Sequence, residues 1–176
     1  MFSDLFIITP DECKEMFADS IGFNNLEEKA KLENRVWKFY YGVLELYMEA
    51  GKQFILSEYP FSNKQTEKLR FLVNRYGYEV ITIRLVADFE ILWKRRKARD
   101  IENRRHLCHI VTHYHYGDKL SDRSQADELI TEEVFKKNIE DRGYNDFQLG
   151  KLFEIDVSDF SRVDYTPLLE QLKKLQ

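Results

Sequence analysis

VITIRLVADFEILWKRRKARDIENRRHLCH, residues 80–109, runs from an apolar alternation into a dense basic block and closes on two histidines. Over Tyr78–Leu85, Val80, Ile81, Ile83 and Leu85 are interrupted by Thr82 and Arg84, which reads as a strand. Asp88 then stands where a helix needs an N-cap. Between Lys94 and Arg105, seven of twelve residues are basic (Lys94, Arg95, Arg96, Lys97, Arg99, Arg104, Arg105), opposed only by Asp100 and Glu102. Most such runs are solvated helix faces. Here arginine holds the spaced positions, and its planar fork suits bidentate capture of phosphate. Arg95 and Arg99 lie four apart and share one helix face, while Arg105 falls beyond the expected helix end. The chain as a whole carries a formal charge of −4, so an anion is expected at this local exception.

Upstream, Leu5-Phe6-Ile7-Ile8 reads as a buried strand that stops at Thr9-Pro10-Asp11-Glu12. There Thr9 can cap a helix, Pro10 can open it, and Glu12 can complete a capping box. The spacing predicts a helix from Pro10 to about Asp19, ending near Gly22, with Asp11 at the mouth of a strand-to-helix junction. Asn24–Lys31 reads as a charged connector or helix start. Leu32–Ala50 is a long helix, with Val36, Phe39, Tyr40, Val43, Leu44, Tyr47 and Met48 at helical spacing and Gly51 as its stop. Gln53–Leu56 is a second strand, and Asn63–Tyr76 a charged amphipathic helix closed by Gly77. Downstream, Glu128–Asp141 is helical, Leu152–Val157 is a fourth strand, and Tyr165–Leu175 is a closing helix. Strands alternating with helices predict an α/β protein with a mostly parallel sheet covered on both faces, in one domain over 1–176.

Composition narrows the classes. With 43% hydrophobic and 14% aromatic residues the chain can bury a real core and is not disordered. Its acidic balance argues against a general nucleic-acid coat. Cys13 and Cys108 are far apart and form no CxxC pair, so reduced thiols in a cytoplasmic protein are expected. No apolar run approaches the ~20 residues that span a membrane, and MFSDLFIITP lacks the features of a signal peptide.

The order of these pieces resembles the small P-loop kinases of the nucleoside- and polynucleotide-kinase type, a group that includes the zeta-toxin-like kinases. Four stretches carry the resemblance. ITPDECKEMFADSIGF is similar to the segment after the family's second core strand, where an acid at the helix start handles the acceptor hydroxyl. GKQFILSEYPF is similar to its third strand, which ends in an acid. VITIRLVADFEILWKRRKARDIENRRHLCH is similar to the strand and arginine-bearing lid, here at about 94–127. FEIDVSDFSRVDYTPLLEQL is similar to the last strand and helix. The resemblance implies a three-layer P-loop fold, ATP and Mg²⁺, a small hydroxyl-bearing substrate, and phosphoryl transfer to an alcohol. It assigns Asp11 as base or orienter, and Lys14, His106 and His109 as phosphate- or substrate-binding. Arg95, Arg99 and Arg105 become the charge-neutralising lid, and Glu58 a Mg²⁺ holder through water.

The family's GxxxxGK[ST] loop is absent. Gly51-Lys52 is followed by Gln53, has Leu46 rather than glycine five positions before Gly51, and enters a strand instead of a helix. A missing strand–loop–helix of roughly 25–30 residues would hold the first core strand, the shared neighbour of the strands at Phe54 and Ile81. Two explanations stand: Met1 is an internal methionine with the natural start upstream, or the chain is a reduced relative whose sheet closes differently. Either way, residues 1–176 are expected to bind ATP poorly and to self-associate through exposed sheet edges. The rival reading is a non-catalytic remnant that keeps an arginine pocket for phosphate or nucleotide. Two weaker expectations are a metal bound by His106, His109, His113 and His115 with Cys108, and single-stranded nucleic acid on the basic helix with Tyr114 and Tyr116. Trp37, Phe39, Tyr40 and Tyr41 are read as core rather than substrate pocket.

Overall fold

β1 (Leu5–Ile7) enters α1 (Pro10–Ile21) through Thr9, whose hydroxyl accepts from the Glu12 N–H at 3.1 Å. This is the Thr9 cap and Pro10 start that the sequence predicts, in a computed structural model that describes residues 4–174. α2 (Leu26–Glu49) starts earlier than its apolar stripe suggests. The side chain of Asn25 accepts from the Glu28 N–H at 3.0 Å, and Glu27 and Glu28 occupy the first turn, where the helix dipole favours acids. Of the two readings of Asn24–Lys31, connector or helix start, its charges are those of a helix N-terminus. Along α2, Lys29, Leu32, Val36, Tyr40 and Leu44 form one buried stripe. Each large apolar side chain in it contributes about 1.5–3 kcal/mol by leaving water.

β2 (Phe54–Leu56) is followed by α3 (Asn63–Tyr76), which opens on a full capping box between Ser62 and Gln65 and closes on Gly77 at φ 69°. β3 (Ile81–Val86) leads to α4 (Phe89–Asp100). Asp88 occupies the cap position, but its side chain makes no capping bond. α5 (Glu132–Arg142) begins later than Glu128, because Thr131 caps it and Glu128 is paired with Lys29. β4 (Lys151–Asp156) and α6 (Thr166–Lys173) complete the α/β order; the expected helix end at Leu175 lies outside the described residues.

The strands pair in parallel, as expected, but in two separate sheets. β1 lies beside β2, with Leu5 opposite Phe54 and Ile7 opposite Leu56. β3 lies beside β4, with Ile81 opposite Lys151 and Val86 opposite Asp156. Phe6 and Ile55 face a core that includes Ile8, Cys13, Ala18, Val36, Tyr40, Leu44 and Leu72, and the Phe6 ring stacks on Tyr47 at 3.6 Å. The Ser57 hydroxyl donates to the Ile8 carbonyl at 2.8 Å and meets the Tyr40 hydroxyl at 2.8 Å, tying both strand ends to α2. Tyr40 is fully buried, so the aromatic helix is core, although Phe39 is exposed. Among the described residues, no helix is long and apolar enough to cross a membrane.

Candidate anion-binding and acceptor site

Asp11, Glu15 and Asp19 follow one another at four-residue spacing and line one face of α1. A basic residue from the segment after α4 meets each of them. The Arg105 guanidinium donates to Asp11 at 3.5 Å, His109 Nε2 lies 2.7 Å from a Glu15 carboxylate oxygen, and His106 Nε2 lies 3.1 Å from Asp19. The Tyr114 hydroxyl donates to the same Asp19 oxygen at 2.6 Å. Leu107, Cys108, Ile110 and Val111 are buried and hold the segment down. Phe23 and Tyr114 exchange backbone hydrogen bonds of 2.8 Å just past α1. Leu107, Cys108, Ile110, Val111 and Tyr114, all within the expected lid, are thus core residues.

The partners specify the charge states. His106 Nδ1 accepts from the Cys108 N–H at 3.2 Å, leaving Nε2–H to donate to Asp19. Burial pushes His109 below the usual histidine range, against the raising effect of Glu15. The hydrogen bond from His109 in turn holds Glu15 below the usual carboxylate range, despite partial burial. A neutral imidazole donating to a carboxylate satisfies both. Burial also pushes the Cys108 thiol up to about 12.

Above these pairs opens a cleft of about 230 Å³ lined by Glu15, Arg99, Arg104, Arg105 and His106. Three guanidiniums and one carboxylate line it; Arg99, Arg104 and Arg105 are also paired with Asp100, Glu102 and Asp11, so an anion held there exchanges with those carboxylates. Arg105 Nε is buried with no partner among the described residues, so this side chain retains donor capacity. A slightly larger cleft, about 260 Å³ between β4 and α6, mixes Asp156, Arg162 and Asp164 without such convergence.

The other residues singled out by sequence are placed elsewhere. Arg95 donates to the carbonyls of Val157 (2.7 Å) and Ser158 (3.0 Å) and lies 4.2 Å over the Phe160 ring, fastening α4 to the end of β4. It does not share the cleft with Arg99 and Arg105. Arg96 pairs with buried Asp100 at 3.1 Å and packs over Phe135. Lys14 is paired with Glu33 of α2. Glu58 is exposed two residues past β2, with no hydrogen-bond or ion-pair partner among the described residues. That suits a cation held through water by one carboxylate, and supplies no cage. Among the described residues, no three His, Cys, Asp or Glu side chains are grouped to hold a metal. Gly51-Lys52 leads from α2 into β2, with Lys52 paired to Asp4, so it presents no helix N-terminus to a phosphate.

Sequence reasoning missed Glu15, Asp19 and Arg123. The acids were legible as an i, i+4, i+8 series with Asp11. Arg123 was not, since only folding brings it to the carbonyls of Arg105 (2.6 Å) and Asn103 (3.1 Å), where it fixes the loop carrying Arg105.

No protein-family model matches this chain, and no curated protein matches it. Its structure is similar to the crystal structure of a "putative kinase" from Chloroflexus aurantiacus j-10-fl, with a TM-score of 0.65 at 18% identity, over 98% of this chain and 84% of that one. At that identity the likeness is one of fold.

Proposed function

We propose that this kinase-like α/β chain belongs to an ATP-dependent phosphotransferase with a small hydroxyl-bearing acceptor and a three-layer, P-loop-type architecture. The observation that carries the reading is the meeting of Asp11, at the N-terminus of α1, with Arg105 at 3.5 Å, beside the cleft that Arg99 lines. In phosphoryl transfer the acceptor oxygen bonds to the phosphorus as the bond to the leaving oxygen breaks, and the acceptor proton must go to a base. Asp11 is the base. Arg99 and Arg105 offset charge on the transferring oxygens, and Arg105 exchanges Asp11 for the phosphoryl group. Arg95 serves the α4–β4 join, His106 and His109 position α1 against the arginine loop, and Lys14 steadies α1 on α2. Residues 4–174 contain no GxxxxGK[ST] loop, so no step is routed through a loop-bound ATP. Glu58 is the residue that would hold Mg²⁺, which would draw charge from the donor phosphates.

Calorimetry with pyrophosphate tests the site. Binding is expected to fall at least tenfold in Arg99→Ala/Arg105→Ala and to persist in Asp11→Asn. Unchanged binding in the double variant removes the cleft from the mechanism. Tight, Mg²⁺-dependent ATP binding by residues 1–176 would refute the need for a phosphate loop. The absent loop also favours a second reading, a phosphate-binding protein without turnover, which any detectable transfer by residues 1–176 would eliminate.

A further inference from the structure

Two of the three arginines lining the cleft, Arg104 and Arg105, sit in the link from Ile101 to His106 that joins α4 to a short turn at Leu107–His109. Backbone bonds inside this link are local: Glu102 N–H donates to the Arg99 carbonyl at 3.1 Å, and Arg105 N–H to the Glu102 carbonyl at 3.0 Å. Turns closed on their own residues shape a link without fixing its place in the fold. The carbonyls of Asn103 and Arg105 reach further. Both accept from one guanidinium, that of Arg123, at 3.1 and 2.6 Å, from 20 and 18 residues away.

Arg123 is itself held in place. It opens a short turn, Arg123–Gln125, capped by Asp122, whose carboxylate accepts from the Ser124 N–H at 3.0 Å and from the Ser124 hydroxyl at 2.6 Å. The loop carrying that turn, residues 112–127, is fastened at its base. There Thr112 N–H donates to Asp127 at 2.8 Å, and Glu128 N–H to the Ile110 carbonyl at 3.0 Å. Further along, His115 lies 3.0 Å from Asn24, and Tyr114 bridges to the Phe23 backbone, so the loop is tied to the corner between α1 and α2. Lys29 of α2 adds a third attachment through Val111 and Glu128. Arg123 therefore refers the backbone of the arginine link to the same helices that carry Asp11 and Glu15.

We propose that Arg123 is a positioning residue for the anion site, holding the Arg105 backbone so that the Arg105 guanidinium stays in the cleft when it leaves Asp11. This role presupposes the proposed function, in which Arg105 exchanges Asp11 for an anion. Paired with Asp11, Arg105 has two anchors of its own: the 3.5 Å contact on its side chain and the Arg123 bond on its carbonyl. An arriving anion removes the first and leaves the second. Without Arg123 the anion must order the link and the Arg105 side chain as it binds, and affinity falls by that entropy. Arg123 does not line the cleft, and its guanidinium is engaged by two carbonyls, so it acts through Arg105 rather than as a ligand. A planar fork spans two carbonyls at once. Lysine keeps the charge at a single ammonium and does not reproduce that geometry.

Two measurements on residues 1–176 test the assignment: calorimetry with pyrophosphate, and proton exchange at Arg105 Nε–H by heteronuclear NMR. Arg105 Nε is buried in the wild-type fold, so its proton is expected to exchange slowly. In Arg123→Ala and in Arg123→Lys, with melting showing both variants folded, that exchange is expected to quicken about tenfold as the link opens locally. Pyrophosphate is expected to bind about fivefold more weakly, the effect of ordering one long side chain. Added to Arg105→Ala, the Arg123→Ala change is expected to have no further effect on binding. Wild-type binding by Arg123→Lys overturns the proposal, because charge alone would then suffice. So does a loss from Arg123→Ala that is as large without Arg105 as with it, or Arg105 exchange unchanged in a folded variant. Should the Arg123 variants not fold, Asp122→Ala, which unfastens the turn and keeps both arginines, is judged by the same two measurements and the same outcomes. A wild type that binds no pyrophosphate, or binding unchanged in Arg99→Ala/Arg105→Ala, overturns the phosphotransfer reading instead; exchange at Arg105 then decides the positioning role by itself.

Discussion

Lys29 offers the most decisive test of how the cleft is held. Its side chain is 5% exposed, and its ammonium donates to the Val111 carbonyl at 2.9 Å and pairs with Glu128. Val111 and Glu128 bracket the exposed part of the loop that follows the arginine segment, and Glu128 N–H closes that loop on the Ile110 carbonyl at 3.0 Å. Lys29→Ala leaves the Val111 carbonyl without its partner, at about 1–3 kcal/mol. It also removes buried methylenes at about 0.8 kcal/mol each. Relief of the ammonium's desolvation opposes both terms. The net is a loss of about 2–3 kcal/mol, or roughly 5–10 °C in Tm at 2–4 °C per kcal/mol. Lys29→Met keeps most of the stem and is expected to lose no more than about 1.5 kcal/mol, because apolar replacement of a buried ion is often near neutral.

The pH dependence provides a second signature. Burial holds the Lys29 ammonium below the usual lysine range, with Glu128 opposing the shift. Between the lowered and the ordinary value the unfolded chain binds more protons, so wild-type stability rises with pH there. The Met variant lacks that rise. Thermal and urea denaturation of the three proteins at neutral and alkaline pH measure both effects. An Ala variant as stable as wild type, or a Met variant as damaged as Ala, refutes the account.

Acid sensitivity should originate at the clasp between α1 and the arginine segment. His109 is held below its ordinary value, so stability is lost as pH falls from the usual histidine range towards that lowered value. Glu15 is also held low, so a further loss follows as pH drops below the usual carboxylate range; Glu15→Gln should flatten that second phase in urea titrations. Cys108, buried with its thiol pushed up to about 12, should resist thiol reagents at pH 8 until the chain unfolds; rapid native labelling would contradict its place in the core. Arg95→Ala should cost about 1–3 kcal/mol by orphaning two carbonyls while leaving pyrophosphate binding intact. Arg99→Ala, whose side chain is half exposed, should do the reverse.

Element identity was largely local and therefore legible. Thr9-Pro10 opened α1, and Gly22 and Gly77 closed helices, all through side-chain and backbone chemistry within a few residues. Local reading failed where a charged residue had a distant partner, as with the displaced start of α5, where Glu128 pairs with Lys29. The composition of the basic block established that an anion was expected near it. Only tertiary structure decided which arginines face the cleft. Arg95 and Arg99 share a helix face by spacing, yet Arg95 is spent on two carbonyls 62 and 63 residues away. Arg105, off the helix, meets Asp11 across 94 residues. Strand patterning likewise implied parallel pairing but not its extent. Side-chain alternation specifies which face a residue takes, whereas edge pairing depends on a neighbouring backbone, so the division into two sheets, open between β2 and β3, appeared only in the fold.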